Sequence, residues 1–122
     1  MSAPVPPRPD LSKRARGRWG EDLAAAHYRR LGCEVVDRNW RSPTGELDLV
    51  VRAGSTYVFS EVKARRTADY GPAASAVTVA KQRRIRQLAV EWLRTHDVRA
   101  EAVRFDVVAI TGTRLDLITD AF

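Results

Sequence analysis

Two short apolar segments joined by a four-residue turn limit what this chain can become. Leu47 to Val51 and Tyr57 to Val62 are rich in β-branched and aromatic residues, and Ala53-Gly54-Ser55-Thr56 lies between them. Such residues suit a pleated, half-buried surface, so the pattern predicts a β-hairpin. A two-residue turn at Gly54-Ser55, with glycine first, suits the type II′ geometry that matches strand twist. Register then follows by counting back from the turn: Ala53 faces Thr56, Val50 faces Phe59, Asp48 faces Glu61 and Glu46 faces Lys63. Because side chains alternate between faces along a strand, these last four charged residues project to one side of the sheet.

Directly opposed carboxylates repel, and a hairpin that places Asp48 against Glu61 needs compensation. A hard divalent cation such as Mg²⁺ or Mn²⁺ supplies it, taking oxygen ligands from one or two carboxylates, from water and from a substrate phosphate. Lys63, two residues beyond Glu61, reaches the same phosphate or the attacking water.

The rest of the chain supplies a frame for the hairpin. Arg16 to Leu31 is Ala-rich, free of proline and apolar at helical spacing, and Gly32 follows it, so a helix ending in a glycine cap is expected. On it, Glu21 shares a face with Ala24, Ala25 and Tyr28 and is placed to add a further carboxylate. Cys33 to Trp40 reads as a strand closed by the turn-forming Ser42-Pro43-Thr44-Gly45. Arg65 to Ala76, with Gly71-Pro72, reads as a loop with room to move. Thr78 is a suitable N-cap for a helix with Ile85, Leu88, Ala89, Trp92 and Leu93 on one face. Val103 to Ile110 and Arg114 to Ile118 then read as two strands around Thr111-Gly112-Thr113. The expected order is α-β-β-β-α-β-β, an α/β fold with a central mixed sheet flanked by helices. Residues 1–12, with four of the six prolines, are expected to be a flexible tail, and residues 13–122 a single domain.

Charge narrows the partners. The chain carries a formal net charge of +6, and all but Lys13, Lys63 and Lys81 of its 21 cations are Arg, which favours a polyanion such as a nucleic acid. Lys81, Arg83, Arg84 and Arg86 on the second helix, and Arg65 and Arg66 after Lys63, are placed to track a phosphate backbone; a merely solvated helix face or loop is the plain alternative. One cysteine and two histidines offer no zinc site and no internal disulfide. A reducing, cytoplasmic compartment fits, and no apolar run is long enough to span a bilayer. Trp19, Trp40 and Trp92 are expected in the core, His27 as a packed, hydrogen-bonded residue, Cys33 as a small buried hydrophobe, and Asp106 in a structural salt bridge.

The segments Gly17-Arg18-Trp19-Gly20-Glu21, Arg38-Asn39-Trp40-Arg41, Gly45-Glu46-Leu47-Asp48-Leu49-Val50, Val58-Phe59-Ser60-Glu61-Val62-Lys63-Ala64-Arg65, Lys81 and Arg104-Phe105-Asp106-Val107-Val108 together resemble the YraN family of small bacterial proteins. That family resembles a compact PD-(D/E)xK nuclease, related to Holliday-junction resolvases. The resemblance runs from about Arg16 to the end. It implies that Asp48 is the motif aspartate, Glu61 and Lys63 the (D/E)xK pair and Glu21 the helical acid. Ser60 departs from the valine that relatives often carry.

On this reading the chain is an Mg²⁺- or Mn²⁺-dependent endonuclease that hydrolyses phosphodiester bonds, structure-selective for branched, nicked or single-stranded DNA. DNA in preference to RNA is what the resemblance implies, and since resolvases that cut two strands work as dimers, a homodimer stays open. The rival expectations are a nucleic-acid-binding module that keeps the fold and cuts nothing, and a protein-binding scaffold whose acidic patch is structural.

Overall fold

The computed structural model describes residues 1–7, 13–65 and 77–122. In chain order they form β1 (Ser2–Pro4), α1 (Lys13–Arg30), β2 (Glu34–Ser42), β3 (Gly45–Ala53), β4 (Thr56–Arg65), α2 (Val79–Thr95), β5 (Ala102–Thr111) and β6 (Arg114–Ile118). One six-stranded sheet has the order β1-β6-β5-β4-β3-β2. Only β4 and β5 run parallel, joined through the connection that contains α2, so the sheet is mixed.

The two helices cover opposite faces. Ala24, Ala25 and Tyr28 of α1 pack on Leu49, Val51, Val58, Val108 and Ile110. Ile85, Leu88 and Trp92 of α2 pack on Val50, Phe59, Phe105 and Val107. Burial on both faces explains why the central strands read as nearly continuous apolar runs. The α1 helix ends as expected: Gly32 adopts φ +85°, with Cys33 N–H donating to Tyr28 O and Gly32 N–H to Arg29 O, each at 3.0 Å. Thr78 caps α2, its side chain accepting from Lys81 N–H at 3.2 Å. A Cβ on Gly20 would lie 3.3 Å from that of Ala64, so glycine there lets α1 settle close to β4.

Three expectations change. The first residues are not all tail: Ser2–Pro4 pair with β6 as an edge strand, Val5 is buried in the core, and the order gains a strand at its start. Residues 8–12 lie outside the described residues, as do residues 66–76 of the loop expected from Arg65 to Ala76, whereas Arg65 itself ends β4. Helix α1 begins three residues earlier than its apolar spacing suggests, and β2 runs on to Ser42. The hairpin register is the expected one, with Ala53 on Thr56 and Val50 on Phe59, but the ladder ends at Leu49 and Ser60. Asp48 and Glu61, and beyond them Glu46 and Lys63, are not ladder partners.

Candidate active site

The sheet is distorted where its acidic residues gather. Asn39 and Asp48 lie between two regular pairs, Arg38 with Leu49 and Trp40 with Leu47, and face each other across β2 and β3. Asn39 adopts φ +53°, a left-handed conformation unusual inside a strand and one that asparagine tolerates better than most residues. On β3, Leu47 packs in the α2-side core and Leu49 in the α1-side core although they are two residues apart, so alternation breaks at Asp48. Beyond Leu49, β3 and β4 part as a fork, and the Asp48 side chain bridges the gap: Val62 N–H donates to its Oδ2 at 2.9 Å.

Glu61 stands on the other arm of the fork and is buried. Burial, and next the Glu61 charge, push the Asp48 carboxyl up to about 8, against the pull of the Val62 N–H. The nearness of Glu61 thus favours the protonated form of Asp48. Lys81, one turn into α2, forms an ion pair with Glu61 and supplies a counter-charge from the α2 side. The like charges anticipated from the hairpin do lie near each other, and an ammonium stands against one of them.

Glu21 approaches from α1. It is 9% exposed, and its Oε2 is buried with no hydrogen-bond partner among the described residues. Desolvation raises its carboxyl above the ordinary range, opposed by a hydrogen bond from Asn39 and by the Arg38 charge. Its own charge contributes to raising Asp48, which places the two in one electrostatic neighbourhood. Glu46, expected in the same patch opposite Lys63, instead pairs with Arg41 at 3.4 Å.

Asp48 and Glu61 offer hard carboxylate oxygens, and Glu21 an unsatisfied one, the donor chemistry that Mg²⁺ or Mn²⁺ takes. Among the described residues no three His, Cys, Asp or Glu side chains already form a complete ligand group. Two carboxylates suffice for Mg²⁺ when water and phosphate complete the shell.

The cations divide. Lys63 is exposed and has no ion pair among the described residues; two positions past Glu61 on β4, it belongs to the same face. Lys81 is drawn into the site. Arg84 lays its stem over Gly45 at the β2–β3 turn. Arg65 is half-buried near Thr111, with Nε to Oγ1 at 3.5 Å. Arg86, expected on the phosphate-facing surface, sits over the rings of Phe105 and Phe122 at 5.0 and 5.6 Å and helps close the core. Arg66 lies outside the described residues.

The residues expected to be structural meet that expectation in part. Asp106 is fully buried and takes a bidentate Arg104, at 2.9 and 3.0 Å, together with Asp120 N–H and the Tyr28 hydroxyl. Trp92 is buried and donates to Asp37 at 2.8 Å, and Trp19 and Trp40 are partly buried against the two cores. His27 is buried, but its Nε2 lies 3.1 Å from Met1 Sδ and its Nδ1 has no partner among the described residues. Cys33 is half-buried. The contribution of Asn39 was not legible from charge patterning, and its one signal was an asparagine inside a predicted strand.

Residues 20–110 match the family described as "Uncharacterised protein family UPF0102". The UPF0102 protein of Rhodococcus opacus strain B4 is 57% identical over 96 residues, covering 79% of this chain and 81% of that protein. That of Frankia casuarinae is 51% identical over 100 residues, 82% and 85% of the two chains. That of Geobacter sulfurreducens is 49% identical over 108 residues, 84% of each. Among the described residues no helix is long and apolar enough to cross a membrane.

Proposed function

The chain belongs to the UPF0102 (YraN) family, and we propose that it is a metal-dependent endonuclease that hydrolyses phosphodiester bonds in DNA, selective for branched, nicked or single-stranded structures. One observation carries the reading: Asp48 and Glu61 come together at a fork in the sheet, where burial and the Glu61 charge raise the Asp48 carboxyl and Lys81 pairs with Glu61. A fold gains nothing in stability from such a pair, and perturbed acids gathered in this way mark functional sites more often than structural ones.

In this mechanism Asp48 and Glu61 hold the Mg²⁺ or Mn²⁺, with Glu21 as a third acid beside them. The ion, when bound, makes a water nucleophilic near neutral pH and withdraws charge from the phosphoryl oxygen. Lys63, exposed and unpaired among the described residues, either stabilises the charge that builds on the phosphate or orients the attacking water. Lys81 pairs with Glu61, and its partly exposed ammonium would also be placed to meet a neighbouring phosphate. The net charge of +6 draws the polyanion in. A reducing cytoplasm suits the single free cysteine.

A second reading is favoured by the Lys81–Glu61 pair itself. An ammonium standing permanently for the cation would suit a nuclease fold that binds nucleic acid and does not cut it. A panel of labelled junctions, flaps, nicked duplexes and single strands, incubated with Mg²⁺ or Mn²⁺, separates the two. Cleavage by the native chain and none by Lys63→Ala supports the endonuclease; tight, metal-indifferent binding with no product supports the binding module.

A further inference from the structure

Next to the carboxylates, a pocket of about 360 Å³ opens between the start of α1 and the distorted stretch of β2. Its walls are Arg14, Gly17 and Arg18 on one side and Asn39 and Arg41 on the other, with Glu21 and Glu46 lining it as well. We propose that this pocket is a nucleotide subsite, which receives the unit of the bound strand adjacent to the phosphate at Asp48 and Glu61. The inference rests on the nucleic-acid reading of that site, but not on cleavage.

Arg14 and Arg18 stand one helical turn apart, exposed, with no ion pair to any described residue, in the first turns of a helix whose first turn has no acidic residue. Like charges at this spacing repel, and both face the positive end of the helix dipole. Among the described residues neither arginine has an ion pair, although Glu21 and Glu46 line the same pocket; an anion between the two would offset their repulsion. Arg41 brings a third guanidinium from β2, loosely held by Glu46 at 3.4 Å and largely exposed.

Gly17 gives an independent indication. A helix interior disfavours glycine, yet a Cβ at Gly17 would meet nothing within 4 Å, and its φ is not positive. Gly20, one turn on, is explained by its contact with β4; Gly17 is explained neither by packing nor by backbone conformation. Bare backbone on the pocket wall is what a ligand at close approach requires. At the inner end, Glu21 is buried and its Oε2 has no hydrogen-bond partner among the described residues. Beside it Asn39, turned by its left-handed backbone, carries both a donor and an acceptor. The occupant must therefore offer an anion to the arginines and hydrogen-bonding groups to Glu21 and Asn39. A nucleotide has all of these, whereas inorganic phosphate has only the first.

The test is an amide NMR titration of the isotopically labelled full chain, without metal, using 5′-phosphorylated dithymidylate and, separately, inorganic phosphate. The expected result is saturable shifts of the Gly17 backbone amide and the Asn39 side-chain amide with the dinucleotide, at least tenfold weaker with inorganic phosphate. In the double variant Arg14→Ala/Arg18→Ala the dinucleotide affinity should fall at least tenfold, and in Arg29→Ala, at the opposite end of α1, it should hold. Shifts confined to the surroundings of Asp48 and Lys81, equal affinity for inorganic phosphate, or an unchanged double variant would each overturn the subsite. Pocket shifts in a protein that cuts no DNA with Mn²⁺ would refute the endonuclease and leave the subsite standing.

Discussion

Raising the pH should weaken the metal-free protein through one residue, Asp48. Its carboxyl is held near 8 by burial and by Glu61, well above its value in an unfolded chain. Between those two values the folded state binds a proton that the unfolded state has released, so stability falls as pH rises. The contribution is complete below about pH 4, where the unfolded carboxyl is also protonated, and is lost as pH climbs through the folded value. Over the two units from pH 5 to pH 7 the linkage is about 2 to 3 kcal/mol, or a fall in Tm of about 10 °C for a domain of this size. Glu21, also raised, works in the same direction, whereas His27, whose pKa burial lowers, opposes it by favouring the fold as pH increases. Comparison with Asp48→Asn cancels both. Asparagine keeps an acceptor for Val62 N–H but neither titrates nor repels Glu61, so the variant should lose most of the slope and match or exceed the native chain at pH 7. Mn²⁺ should restore the native chain at pH 7, by about 2.7 kcal/mol at a hundredfold excess over its dissociation constant, and leave the variant unmoved. Thermal melts of both proteins at pH 5, 6 and 7, with and without Mn²⁺, measure all of this. Parallel pH slopes, or a full Mn²⁺ response in Asp48→Asn, would show that the fork carries no linked carboxyl pair.

Three further outcomes follow from the same geometry. Lys81→Ala removes the counter-charge of Glu61 and a phosphate contact, so DNA affinity measured by anisotropy should fall alike for all sequences, with the slope of log affinity against log salt reduced by about 1. Tyr28→Phe strips a hydroxyl from buried Asp106 and Ser60, and since Arg104 and Asp120 N–H still satisfy the carboxylate, the cost in urea unfolding should be about 1 to 2 kcal/mol. Thr78→Ala removes the α2 cap and should cost about 1 kcal/mol, while its effect on Mn²⁺ affinity reports how firmly the first turn of α2 sets Lys81 against Glu61.

The amphipathic spacing from Ile85 to Trp92, the cap at Thr78 and the glycine after α1 were legible because each reports a local rule that the tertiary fold does not override. The hairpin register was legible for the same reason, since Gly54, at φ +63°, fixes it from within. Edge strand β1 was not: Ser2-Ala3-Pro4 has neither length nor apolar alternation, and its pairing depends on β6, more than a hundred residues away. Lys81 was legible as a cation on a helix but not as the partner of Glu61, because that contact needs the α2 crossover to set the helix over β4. The site shows the same limit more sharply. Period-two reasoning placed Asp48 and Glu61 on one face, and it assumed ladder pairing to the end of the hairpin. The real strands part at Asp48, and β2 answers with a left-handed Asn39 at the facing position. A regular ladder would have consumed the Val62 N–H in the sheet and kept the helical acid Glu21 on the far side of it. The fork leaves that N–H for Asp48 and lets an acid from the α1 face come within electrostatic reach of carboxylates on the α2 face. The departure from strand regularity that the sequence pattern could not express is thus what brings acids from three separate elements into one electrostatic neighbourhood.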